Sequence, residues 1–305
     1  MEYSLLNRFR GAWLGSIIGQ RLKKEEKDAS VTATPELLSF EQTVQSQLEK
    51  QIALWEACQR SPNILAKSSL SAAFAQLELT SQSQFSEIAL LILPVTLYYH
   101  DNWSYLASLI ALHGKSLQKS AREMEKILVW CYVVRLALRG ELTCHSLSER
   151  VVVGTRLKQN SIQWLETVRM SCLNGWNISR LIENLSETKQ LEIALCLFCF
   201  LNNPEDFNLA IRQALFTETE TTNITALSGF LSGAYNGITG ISSTWRNLWQ
   251  QENFYWQIND KTRYMIEKWL GINTPSNSKA SYFVITAPKI LQPRSNLTII
   301  SQQDY

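Results

Sequence analysis

An all-α architecture of many helices, closing with a short extended segment and tail, is the fold class this sequence predicts. Three observations predict it. Apolar residues recur every three or four positions almost throughout, Ser, Asn and Pro gather in short clusters between those stretches, and β-like patterning is confined to one stretch near the C-terminus.

The elements follow in order. Leu5, Leu6, Phe9, Trp13, Ile17 and Leu22 share a helical face, so the first helix runs from Ser4 to about Leu22. Its glycines, Gly11, Gly15 and Gly19, stand four residues apart, which leaves one face almost bare of side chains and lets another backbone approach; this helix faces the core. Lys23 to Pro35 is charged, then rich in small polar residues, and reads as a surface loop. Helices then cover 36–59, 64–79 beyond the turn at Ser61-Pro62-Asn63, 84–99, 105–112, 116–139, 146–173, 177–184, 189–201, 206–216, 222–237 and 242–270. Pro94 should kink the helix that contains it or mark a packed bend. Asn202-Asn203-Pro204 is a turn, and Glu205-Asp206 after it suits a helix start. From Gly271 the pattern changes: Tyr282 to Thr286 is β-like and a polar tail follows. The chain divides into a helical domain over 1–270 and an extended segment with tail over 271–305.

Composition bounds the function. With 45% hydrophobic and 18% charged residues, the chain can bury enough apolar surface to offset its ordering entropy. Lys+Arg (29) nearly balance Asp+Glu (27), which excludes a dedicated nucleic-acid binder. No apolar run approaches the roughly 20 residues of a membrane-spanning helix. The apolar run after Arg8 and Arg10 lacks a small-x-small cleavage site and is followed at once by Gln20-Arg21 and Lys23-Lys24, which reads against a signal peptide. Six cysteines, several inside apolar stretches, suit reduced packed thiols and a cytoplasmic protein. Cys196-Leu197-Phe198-Cys199 has redox spacing but uniformly apolar surroundings, and His100, His113 and His145 have no zinc-type spacing; packing or surface roles fit all of them.

Three stretches carry a likeness to a known family. Arg8 to Gln20 reads R-x-x-G-x-x-x-G-x-x-x-G-Q. Ile88 to Tyr98 is an apolar helix with Pro94. Pro204-Glu205-Asp206-Phe207 continues without gaps through Ala210, Ala214 and Gly229 to Gly233-Ala234-Tyr235-x-Gly237 and Gly240-Ile241. In these motifs the chain resembles the ADP-ribosylglycohydrolase family, whose opening motif ends in Asp where this chain has Gln20. The family's middle helix carries an Arg at the position of Leu91. Its G-G-D-x-D-T falls on Glu218, Thr219, Glu220, Thr221, Thr222 and Asn223; a register shifted by two, needing two compensating gaps, sets Glu218-Thr219-Glu220-Thr221 as D-x-D-T instead.

The resemblance implies an all-α fold in which the start of the chain meets the helix after D-x-D-T at a cleft. It also implies two Mg²⁺ ions there, orienting ADP-ribose and a water for glycosidic hydrolysis. Carboxylates are the ligands Mg²⁺ takes, in near-octahedral geometry. The family's T-D-D-T segment has one counterpart, Phe40-Glu41-Gln42-Thr43. The degenerate metal positions are therefore Gln20, Glu41, Gln42, Glu220, Thr222 and Asn223, with Glu220 the one candidate catalytic carboxylate. A Glu in place of Asp moves its oxygens by more than about an ångström, enough to misplace a catalytic group. Beside these readings stand plainer ones: helix packing for the three glycines, and helix-dipole carboxylates for Glu218 and Glu220.

The sequence-based expectation is a catalytically inactive relative that binds a protein partner or an ADP-ribose-like ligand and needs no metal. The alternatives are a divergent ADP-ribosyl hydrolase that keeps Mg²⁺ through Glu220, and a scaffold that docks into an assembly through its aromatic surface or through Tyr282 to Ile285.

Overall fold

A computed structural model describes residues 4–27, 35–60, 85–116, 120–158, 162–185, 190–217, 223–250 and 253–271. Among the described residues the chain is all-α, with no strand. The helices are α1 (Leu5–Lys27), α2 (Pro35–Arg60), α3 (Phe85–Leu91), α4 (Leu93–Tyr98), α5 (Trp103–Ser116), α6 (Ala121–Leu138) and α7 (Leu147–Thr155). They continue as α8 (Gln163–Leu173), α9 (Ile178–Leu185), α10 (Leu191–Asn202), α11 (Phe207–Leu215), α12 (Ile224–Asn236), α13 (Ser243–Gln250) and α14 (Asn253–Trp269), with a short 3-10 turn at Ile238–Gly240 after α12. The helix expected over 64–79 and the extended segment around Tyr282 lie outside the described residues.

The centre is α12. Every residue of it except Tyr235 is buried, and it packs against α1, α3, α6, α10 and α11. It carries no charged residue, only apolar and small or neutral polar ones, so it has no face that demands solvent and can be enclosed. The neighbouring α10 obeys the same rule, with Ile193 through Leu201 all buried. Its Cys196 and Cys199 are packed thiols, as their apolar surroundings require, and burial pushes both well above the ordinary thiol value.

Against this centre α1 lies antiparallel, and the packing is backbone to backbone. A Cβ built on Gly11 would fall within van der Waals contact of the Gly233 carbonyl oxygen, one on Gly15 on that of Gly229, and one on Gly19 on that of Thr225. The relation is reciprocal: a Cβ on Gly229 or Gly233 would meet the carbonyl of Gly15 or Gly11. The four-residue glycine spacing is thus the seam of a helix pair. Arg8 completes its far end, donating from a guanidinium nitrogen to Ala137 O at 2.7 Å and lying 6.0 Å from the Tyr235 ring centroid.

Several expected boundaries shift. The segment expected to loop after Leu22 stays helical to Lys27, because Lys and Glu are good helix formers and nothing there breaks the hydrogen-bond ladder. The helix expected over 84–99 divides at Ile92, and Pro94 sits in the first turn of α4, where its missing N–H leaves no intrahelical bond unmade. The stretch 146–173, expected as one helix, is two. Arg156 closes α7 in the left-handed region (φ 56°), its N–H bonded to Val152 O at 3.0 Å, while Leu157, Ile162 and Leu165 prolong the apolar rhythm through the break. The stretch 242–270 likewise forms α13 and α14.

Caps set other starts. Ser120 opens α6 with a capping box: its hydroxyl accepts from Glu123 N, and the Glu123 carboxylate accepts from Ser120 N at 2.9 Å. Asp206 opens α11, accepting from Leu209 N at 3.0 Å, as the Glu205-Asp206 pair after the turn led one to expect.

Candidate functional site

The seam positions the residues of interest. Gly19 is its last rung, pressed on the first turn of α12 through Thr225 O and Ala226 Cα, the latter 2.8 Å from a built Cβ. Gln20 follows directly, half-buried, and its Nε2 is buried with no hydrogen-bond partner. Asn223, two residues before Thr225, is the N-cap of α12, its carbonyl accepting from Leu227 N at 2.9 Å while its side chain makes no capping bond. Gln20 and Asn223 thus both belong to the end of the seam that Gly19 and Thr225 form.

The other positions separate. Gln42 is exposed on α2, a helix that packs on α3, α4 and α14. Glu41 belongs to the same helix, but its side chain lies outside the described residues, as do Glu218, Thr219, Glu220, Thr221 and Thr222 entirely. Leu91 is buried in α3, so an apolar core contact stands where the resemblance sets an Arg. His100 is buried too, its Nδ1 2.7 Å from Leu97 O and its ring packed against Phe9 and Trp269, a packing role. His145 is exposed, and the side chain of His113 lies outside the described residues.

Mg²⁺ is bound through carboxylates that offset its charge. Gln20 and Asn223 offer only neutral oxygens, and among the described residues no cluster of three His, Cys, Asp or Glu could hold a metal ion. The described residues here do not fit a pair of magnesium ions. The unpartnered Nε2 of Gln20 is instead a donor, and a buried donor left unbonded costs about 1–3 kcal/mol, a cost that an acceptor oxygen on a bound molecule would remove.

Sequence reasoning overlooked Thr225. A signal was present: Thr225 precedes Gly229 by four residues, continuing the step from Gly233 to Gly229 that mirrors Gly11, Gly15 and Gly19. It also overlooked the cleft between α7 and α8, about 500 Å³, lined by Ser148, Glu149, Val152, Val153, Ile162, Gln163 and Glu166. The unbroken helix expected there conceals it.

A family model described as ADP-ribosylglycohydrolase matches residues 31–271, most of the chain and the whole of α2 through α14. No curated protein matches the chain.

Proposed function

The chain belongs to the ADP-ribosylglycohydrolase family, and from that premise we propose that it keeps the family's helical scaffold as a binding module without ADP-ribose hydrolysis. The Gln20 end of the α1–α12 seam receives an ADP-ribose-like ligand, free or carried on a partner protein. One observation carries this reading: Gln20, where the family motif has an aspartate, presents a buried amide N–H with no partner. A carboxylate there accepts and attracts cations; a carboxamide N–H donates, and suits a phosphate or hydroxyl oxygen.

On this reading the residues of the chain bind and orient, and no bond of the ligand is broken. The test is a thermal-shift titration with ADP-ribose, with and without Mg²⁺. A ligand at about 100 times its Kd adds about 2.7 kcal/mol to stability. ADP-ribose should raise Tm by several degrees, Mg²⁺ should add nothing, and Gln20→Ala should remove most of the shift. Release of ADP-ribose from a modified protein in Mg²⁺, well above blank and abolished by Glu220→Ala, would overturn the reading in favour of a hydrolase with an altered magnesium site.

A further inference from the structure

The α7–α8 hairpin carries a second candidate surface, removed from the seam. α7 and α8 pack on α6, α9 and α10 rather than on α1 or α12, so the cleft stands apart from Gln20 and Asn223. Its volume of about 500 Å³ lies within the roughly 300–1,000 Å³ range of ligand sites. The floor is aliphatic: Val152 is half-buried, Ile162 is buried, and Val153 is 73% exposed. Met170 and Leu173, on the same strip of α8 as Gln163 and Glu166, are also exposed.

Among the described residues of the lining the polar groups are acidic or neutral, with no base among them. Glu166 is held in place by Arg169, which donates from two nitrogens, and by Ser148, whose hydroxyl donates at 2.9 Å. Its charge is balanced and its position fixed. Glu149 is exposed and makes no ion pair or side-chain hydrogen bond among the described residues. The nearest competing cation on its own helix, Arg150, is taken by Glu141 at 2.7 Å.

We propose that this cleft docks a basic segment of a partner protein. The stem of an arginine or lysine lies along Val152, Val153 and Ile162, and its cationic head rests on the Glu149 carboxylate beside the Gln163 carboxamide. Two features select that chemistry together. An apolar partner alone would bury the Glu149 charge unpaired, which costs several kcal/mol, and an anionic surface such as nucleic acid or an acidic membrane would meet a free carboxylate. A basic side chain with an aliphatic stem satisfies the valines and the carboxylate at once. Met170 and Leu173 extend the contact to apolar neighbours in the same segment.

The inference holds whether or not the seam hydrolyses ADP-ribose, and its test keeps the two apart. The probe is a fluorescein-labelled hexapeptide alternating leucine and arginine, measured by anisotropy beside the same peptide with uncharged citrulline for arginine. The arginine peptide should bind at least about ten-fold tighter. Glu149→Gln should weaken it about ten-fold and leave the citrulline peptide unmoved, while a second variant, Val153→Ser, should weaken both. Both residues are exposed, so Tm should stay within about a degree and loss of binding will not reflect unfolding. Excess ADP-ribose and the Gln20→Ala substitution should change nothing. Equal binding of the two peptides, no effect of Glu149→Gln, or no binding at millimolar peptide would overturn the proposal. A concentration-dependent dimer in sedimentation that Val153→Arg dissolves would overturn it too, and assign the cleft to self-association.

Discussion

Gln51 shows how much a single polar side chain can organise. It is buried on α2, its Oε1 accepts from Trp13 Nε1 at 2.9 Å, and its Nε2 donates to Leu90 O at 2.7 Å, so one carboxamide joins α1, α2 and α3. Gln51→Leu keeps the volume but leaves the indole N–H and the carbonyl unbonded, and should destabilise the protein by about 2–4 kcal/mol in urea unfolding. Nothing near Gln51 in sequence announces this, because both partners come from other helices. A second residue-scale expectation concerns acid. Hydrogen bonds from Arg169, with help from Ser148, hold the Glu166 carboxyl below its ordinary value of 4.5. A depressed folded pKa contributes stability that is fully present above the ordinary value and is lost as pH falls through the folded one. The Tm advantage of the native protein over Glu166→Gln should therefore be constant at neutral pH and shrink once pH drops below about 5. Because Glu166 is nearly half exposed, the advantage will be small. At the candidate site the sequence placed Gln20 directly after the last glycine of the seam and Asn223 at the start of α12, because each follows from a motif register. The burial of the Gln20 amide was not legible, since it depends on how closely α12 approaches.

At the scale of elements, the glycine seam is the part most plainly written in the sequence. Three glycines at four-residue steps inside a helical apolar pattern can only mean a bare face, and a bare face is stable only against another backbone. Gly15→Ala tests it: the new methyl would collide with the Gly229 carbonyl, with the Phe207 ring 3.0 Å away on the other side, and neither helix can retreat without opening the core. A loss of about 3 kcal/mol or more is expected in denaturant unfolding. Gly175→Ala is the control, a turn glycine at φ 62° with nothing within 4 Å, where the methyl meets only backbone strain and should cost about 1–2 kcal/mol. Asp206→Ala should remove the α11 cap at about 1 kcal/mol. Helix ends were less legible than helices. The break at Arg156 depends on a left-handed residue that is not a glycine, and the extension to Lys27 depends on propensity where apolar rhythm has stopped.

For the molecule as a whole, the seam joins α1 to a helix some two hundred residues later, so α1 waits for its partner during folding. Long-range closure of this kind slows folding, and α1 with its three glycines has poor intrinsic helicity. A chain beginning after Lys27 should lose its sharp unfolding transition by circular dichroism, and a synthetic peptide of residues 4–27 added in trans should restore it. The all-α class was legible because periodicity is a property of the entire chain, while the layering around α12 was not, since it is decided by which faces meet. That layering has an evolutionary consequence. The clamp between α1 and α12 is made of main chain, so the side chain at position 20 forms none of its rungs. Exchange of the side chain at position 20 therefore leaves the rungs of the seam themselves unchanged. The same independence can be read in a variant: Gln20→Asp with Asn223→Asp should keep the native helical content by circular dichroism, because no rung is touched, and lose some stability, because a carboxylate replaces a buried amide at position 20.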